Sequence, residues 1–325
     1  MTDFEHVSVM PHEVIEYLQP RAGGLYFDGT AGAGGHSLLI LESAPDSRVI
    51  AVDRDPAMLE IAAERLAKFG DRVTLRRASY EDLQDVLDEL HIGRCIDGAL
   101  IDCGPSLDQL AGRTTGRGRG FSIHGGDEPL EMAYDPEQSR TAATLLAESS
   151  ERELRRLFGQ TLRGGEVGRV VRAIVRERER EPIATPERLT RVLQEALSFK
   201  APETEKRVSA AYAALRIAVN EELEGLERGI DAASAVAAFC APRVVPAARS
   251  GDHRARPSGA RPATPDGSNT RVSPIRSRWS RVASIRSRFT DTTTAGPSQS
   301  SSPAITLTVL PDLDGPITAT DPRSP

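Results

Sequence analysis

Short apolar runs alternate with amphipathic stretches through the first hundred residues. "LYFDGT" (25–30) and "RVIAVDRD" (48–55) are apolar runs that close on aspartate. "RVTLRRASY" (72–80) reads as a third strand and "IDGALIDCG" (96–104) as a fourth, buried one. Between them, "PAMLEIAAERLAKFG" (56–70) and "EDLQDVLDELH" (81–91) carry apolar residues at helical spacing, the first stopping at Gly70. Strands alternating with helices predict an α/β fold built on a parallel, doubly wound sheet with right-handed crossovers. Ligands on such sheets sit at the carboxyl ends of the strands. The loop after Asp28, Asp53, Tyr80 and Asp102 all fall at or just after those ends.

The period changes farther along. Residues 105 to about 130 are irregular and rich in Gly and Arg, as in "AGRTTGRGRGFSIHGGDEP" (111–129). From about 138 to 198 the pattern is helical in "SRTAATLLAESSERELRRLF", "GRVVRAIVRERERE" and "TPERLTRVLQEAL", with Pro and Ser/Thr starts between them. This predicts a helical insertion rather than further sheet crossovers. "AAYAALRIAVNEELEGLERGIDAASAV" (210–236) reads as one long helix or two. The expected organisation is a discontinuous sheet domain of residues 1–104 and 205–235, an inserted loop and helical domain of 105–204, and a tail of 236–325. The tail is Pro, Ser, Thr, Ala and Arg, with a near repeat of "SPIRSRWSRV" in "ASIRSRFTDT". It has too little apolar content to offset its ordering entropy and is expected to be disordered or aberrant. One strand is readable in it, at "AITLTVLPDL" (304–313).

Charge follows the same division. The net charge is −6, yet residues 236–325 hold 12 Arg and 6 Asp with no Lys or Glu, while residues 1–235 hold 29 basic and 41 acidic residues. Lysine occurs only at Lys68, Lys200 and Lys206. No apolar run reaches the roughly 18 residues that span a membrane, and "MTDFEHVSVMPHEV" does not read as a signal peptide. Three cysteines, Cys95, Cys103 and Cys240, lack metal-ligand spacing and fit a reducing cytoplasm, with no metal expected.

The candidate chemistry begins at "LYFDGTAGAGGHS" (25–37), where four glycines follow Asp28 within seven residues. A phosphate-cradling loop needs Lys-Ser/Thr after its last glycine, and here Gly35 is followed by His36 and Ser37. A dinucleotide fingerprint needs a third glycine where Ser37 stands. A tight strand-to-helix turn without a ligand is the plain alternative. Asp53, 19 residues after Gly34, changes the balance, because an acid at the end of the second strand accepts hydrogen bonds from ribose hydroxyls. The same residue can serve as N-cap of the helix that begins near Pro56. S-adenosylmethionine combines a ribose and an adenine with a cationic sulfonium and no phosphate, so it needs an acid and no lysine.

Seven segments in order, "HVSVMPHEVIEYL", "DGTAGAGGHS", "AVDRDPAML", "RVTLRRASYEDL", "RGFS…EPLEM", "RAIVRERERE" and "ALRIAVNEEL", resemble the bacterial MraW-type (RsmH) methyltransferases over roughly residues 5–235. The resemblance implies an S-adenosylmethionine-dependent methyltransferase fold and methylation of the exocyclic amine of a cytidine in the decoding region of small-subunit (16S) ribosomal RNA. It implies donor contacts at Gly34, Gly35, His36, Asp53, Tyr80, Asp102 and Gln109. Asp102 is the candidate proton acceptor, or else only a holder of the donor's methionine end. Arg113, Arg117 and Arg119, in the loop beyond Asp102, are candidate RNA-phosphate contacts by their charge. The chain departs from the family pattern in "DCGPSL" for DLGVSS, "EMAYD" for DMRMD, Ala210 at an arginine position, and the whole C-terminus, where PGGRLVVISFHSLEDRIVK is replaced by "AAFCAPRVVPAARSGDHRARPSG". Residues after about 236 read as out-of-frame translation. Those departures keep two other functions open: an inactive donor-binding protein, and a methyltransferase acting on a small molecule or protein.

Overall fold

The computed structural model describes residues 10–93, 95–110, 118–198, 202–240 and 306–310. Its sheet contains β1 (Leu25–Asp28), β2 (Arg48–Asp53), β3 (Val73–Arg77), β4 (Gly98–Asp102) and β5 (Thr306–Leu310), ordered β3-β2-β1-β4-β5 and parallel throughout. β1 is buried at all four positions, the mark of a strand covered on both faces. Its Asp28 stands beside Ala51 of β2 and Leu100 of β4. Because every strand points the same way, Asp28, Asp53 and Asp102 close three strands on one edge. The order reverses between β1 and β4, and the crevice of a doubly wound sheet opens at such a switch.

Successive side chains take opposite faces, as strand geometry requires. Tyr26, Val49, Ala51 and Leu100 pack with α1 (Pro11–Leu18), α2 (Gly35–Ser43) and α3 (Pro56–Leu66). Phe27, Ile50, Val52 and Ala99 pack with α4 (Leu83–Glu89) and α11 (Glu222–Cys240). The chain leaves the sheet through α5 (Leu107–Leu110) and builds a second core from α6 (Ala142–Glu148), α7 (Glu151–Phe158), α8 (Gly164–Arg178), α9 (Pro186–Ala196) and α10 (Glu203–Asn220). The expected single run "SRTAATLLAESSERELRRLF" is two helices, since Ser150 caps α7 in a capping box with Glu153.

Packing separates α10 from α11. Val208, Ala211, Tyr212, Leu215 and Val219 of α10 all belong to the helical core, whereas Leu226, Ile230, Ala233 and Val236 of α11 pack on the sheet. The two helices part at Glu221, whose φ of 53° breaks the helical path. Of the tail, β5 pairs with β4 from Gly98↔Thr306 to Asp102↔Leu310. The reading of the remaining tail lies outside the described residues.

Candidate ligand site at the carboxyl edge of the sheet

The glycine loop is held from below by Asp28, which is fully buried. Its Oδ1 accepts from the Thr30 amide at 3.2 Å and its Oδ2 from the Ser37 hydroxyl at 2.7 Å. The residue that breaks the dinucleotide fingerprint thus pins the first turn of α2 to the end of β1. Gly34 is the N-cap of α2 with φ of 78°, and a Cβ there would lie 3.3 Å from the Ala62 Cα of α3. The Ala31 amide donates to the Val52 carbonyl at 2.9 Å, which lays the loop across the end of β2.

Asp53 closes that end. Its Oδ2 accepts from the Gly32 amide at 2.8 Å and its Oδ1 from the Asp55 amide at 2.9 Å. Burial pushes its pKa up to about 6 against the pull of those two amides, and the neighbouring Asp55 and Asp28 push the same way as burial. The expected N-cap role moves two residues on: Asp55 precedes α3 and accepts from the Ala57 amide at 3.2 Å. Asp53 is thereby free of the cap. A carboxylate offers about four lone-pair sites, so two amides fix its orientation and leave acceptor capacity over. A lysine-free loop and an oriented acid fit the ribose and sulfonium of S-adenosylmethionine.

Asp102 ends β4 beside this loop, and its amide donates to the Thr30 hydroxyl at 2.8 Å. Its Oδ2 lies 3.8 Å from Nδ1 of His36, which is buried at the start of α2. The candidate positions at the start of α2 and the end of β4 therefore meet across the switch point. Tyr80 is wedged elsewhere along the edge. A Cβ on Gly29 would lie 2.6 Å from the Tyr80 Cβ, and one on Gly229 of α11 would lie 2.6 Å from its Cδ2. Burial pushes the Tyr80 phenol pKa upward and keeps it protonated.

Gln109 is also buried. Its Oε1 accepts from the Ser106 amide at 2.9 Å, and its Nε2 donates to Asp55 Oδ2 at 2.9 Å. The same carboxylate oxygen accepts from Arg119, which is 6% exposed. Arg119 also donates to the carbonyls of Ala133 at 3.1 Å and Tyr134 at 2.9 Å. This corrects its expected place among surface phosphate contacts, because its guanidinium is consumed inside the chain. Arg113 and Arg117 lie outside the described residues. The sequence pattern does not single out Asp55, the expected cap being Asp53; its partners Gln109 and Arg119 lie 54 and 64 residues away.

A groove of ≈ 760 Å³ lies between the end of β3 and the α10–α11 junction, with Arg54, Arg77, Arg140 and Arg228 on its walls. Arg77 pairs with Asp135 and Glu137, Arg140 with Glu221, and Arg228 with Glu81. Arg54 donates to uncharged oxygens, the Asn220 carbonyl at 3.2 Å and Gln138 Oε1 at 3.3 Å. So many internal pairs leave the groove little net attraction for an anion. Among the described residues, no cluster of His, Cys, Asp or Glu could hold a metal ion, and no helix is long and apolar enough to cross a membrane.

Comparison with known proteins matches residues 3–241 to the MraW methylase family. A relative from Geotalea uraniireducens (strain Rf4), named ribosomal RNA small subunit methyltransferase H, is 43% identical over 234 residues, covering 71% of this chain and 73% of its own. One of the same name from Symbiobacterium thermophilum is 41% identical over 232 residues, covering 71% of each chain. Among solved structures, TrmN from Thermus thermophilus matches with a TM-score of 0.26 and 21% identity, over 33% of this chain and 31% of that one.

Proposed function

The chain belongs to the MraW methylase family, and from that premise we propose that it methylates the exocyclic amine of a cytidine in the decoding region of 16S ribosomal RNA. S-adenosylmethionine is the donor, the small ribosomal subunit the partner and the cytoplasm the place. The observation that carries the donor half is the oriented carboxylate of Asp53, held by two amides beside a glycine loop without lysine. The names of the relatives, each matching across 71% of the chain, support the RNA half.

The donor supplies an electrophilic methyl group on a sulfonium. Asp53 accepts the ribose hydroxyls, Tyr80 borders the adenine, and Gly34, Gly35 and His36 admit the methionine end close to backbone. Gln109 closes the far side with the N–H and lone pair that Asp55 and Ser106 leave unused. The target amine is a weak nucleophile because its lone pair is delocalised into the ring. Asp102, at the switch point, accepts the amine proton as the nitrogen rehybridises. Most of the acceleration comes from alignment of amine and methyl, and the base leaves its stack to reach the edge. Arg113 and Arg117 contact phosphates, whereas Arg119 does not.

Nucleoside mass spectrometry of 16S rRNA from cells with and without this gene tests the reading. The N4-methylated cytidine is expected to disappear on deletion and to return with the gene; an unchanged level contradicts it. The inactive reading is favoured by Pro105, which removes an N–H from the loop after β4. Donor binding by the purified protein combined with no change in the RNA is the result that supports it.

A further inference from the structure

We propose that Asp55 is a positioning residue for methyl transfer, holding Gln109 against the donor and Arg119 of the inserted unit at one carboxylate oxygen. The proposal rests on the reading of Gln109 as a donor contact. Capping α3 requires only Oδ1, which accepts from the Ala57 amide, and Ser, Thr or Asn would serve there as well. Oδ2 has the separate task. It is 1% exposed as part of Asp55 and accepts from both Gln109 Nε2 and Arg119 Nη2. A buried carboxylate needs such a cation, and a residue kept only as a cap does not need the carboxylate.

The contacts run in both directions from this point. Toward the donor, the Asp55 amide fixes Asp53 Oδ1 at 2.9 Å, so the ribose acid and Gln109 are set by the backbone and side chain of one residue. Toward the inserted unit, Arg119 lies over the Phe121 ring at 5.7 Å, and Phe121 stacks on Tyr134 at 5.5 Å. Tyr134 in turn donates its amide to Asn220 and its hydroxyl to Glu222, on either side of the α10–α11 break. Displacing Asp55 therefore misplaces Gln109 and loosens the seat of the unit that follows it.

The test is calorimetric binding of S-adenosylhomocysteine to the full chain, at a temperature where thermal melts show each variant folded. Asp55→Ala alone would strand a buried guanidinium, so it is combined with Arg119→Met, which removes both charges at once. Gln109→Ala and the Asp55→Ala/Arg119→Met pair are each expected to weaken binding by about tenfold, the scale of a lost hydrogen bond to a charged group. Adding Gln109→Ala to the pair is expected to change nothing further, because Asp55 acts through Gln109. Binding by the pair equal to the unmodified chain, or additive losses in the triple variant, would overturn the proposal. Undiminished binding by Gln109→Ala would overturn it together with the reading of Gln109, and no binding by the unmodified chain would overturn the donor site itself.

Discussion

At Asp53, burial raises the pKa to about 6 while two amides favour the anion. An acid whose pKa is higher folded than unfolded takes stability from the empty protein as pH rises from 3.8 through about 6. Donor binding has the opposite sign, since the ionised carboxylate is the better acceptor for ribose hydroxyls. Affinity for S-adenosylhomocysteine is expected to rise with pH through about 6 and level off above it, and Asp53→Asn is expected to flatten the profile. A pH profile by calorimetry checks both, and a rise retained in the variant assigns it to another group. Asp53→Ala is expected to weaken binding by roughly 10- to 100-fold, the range for hydrogen bonds to a charged acceptor. Ser37 makes a different contribution. Ser37→Ala leaves Asp28 Oδ2 without its buried donor, and denaturant unfolding should show a loss of about 1–3 kcal/mol.

Among the elements, β1, β2 and β4 were readable because parallel strands covered on both faces are short apolar runs, and an aspartate marks where each ends. The allegiance of α10 was not. Its apolar residues point to a core, but periodicity does not say which one, and only packing assigns Val208 and Leu215 to the inserted unit. The break at Glu221 was equally hidden, since no Gly or Pro marks it. Asn220 stabilises it through three hydrogen bonds to residues 132, 134 and 216. The seat of α11 depends on glycine. Gly229→Ala would place a methyl 2.6 Å from Tyr80, and overpacking of this kind costs about 1–3 kcal/mol. A lowered thermal midpoint with the sheet's circular dichroism retained is the expected outcome; an unchanged midpoint contradicts the wedge.

Across the whole molecule, the candidate donor residues were legible as a set because strand ends and loop glycines recur in register with a family. Their partners were not: Asp55 meets Gln109 and Arg119 through separations that no local pattern reveals. An arginine in a glycine-rich loop reads as a surface cation until burial shows otherwise. Exposed cations lie on α8. On α8, Arg172 and Arg176 are exposed and make no ion pair among the described residues, while Glu177 is taken by Arg188 and Arg191. Like charges four apart on a helix cost stability unless something offsets them. Arg172→Glu with Arg176→Glu is expected to weaken binding to small-subunit RNA and to reduce its salt dependence by about two charges, with donor affinity unchanged. Filter binding at several salt concentrations checks this.

Methyl transfer itself is tested with purified full-length protein, methyl-labelled S-adenosylmethionine and small ribosomal subunits from cells lacking this methylation. After digestion of the 16S rRNA, label is expected in a single N4-methylated decoding-region cytidine. Label on any other nucleoside, or none from a protein that binds the donor, would contradict it.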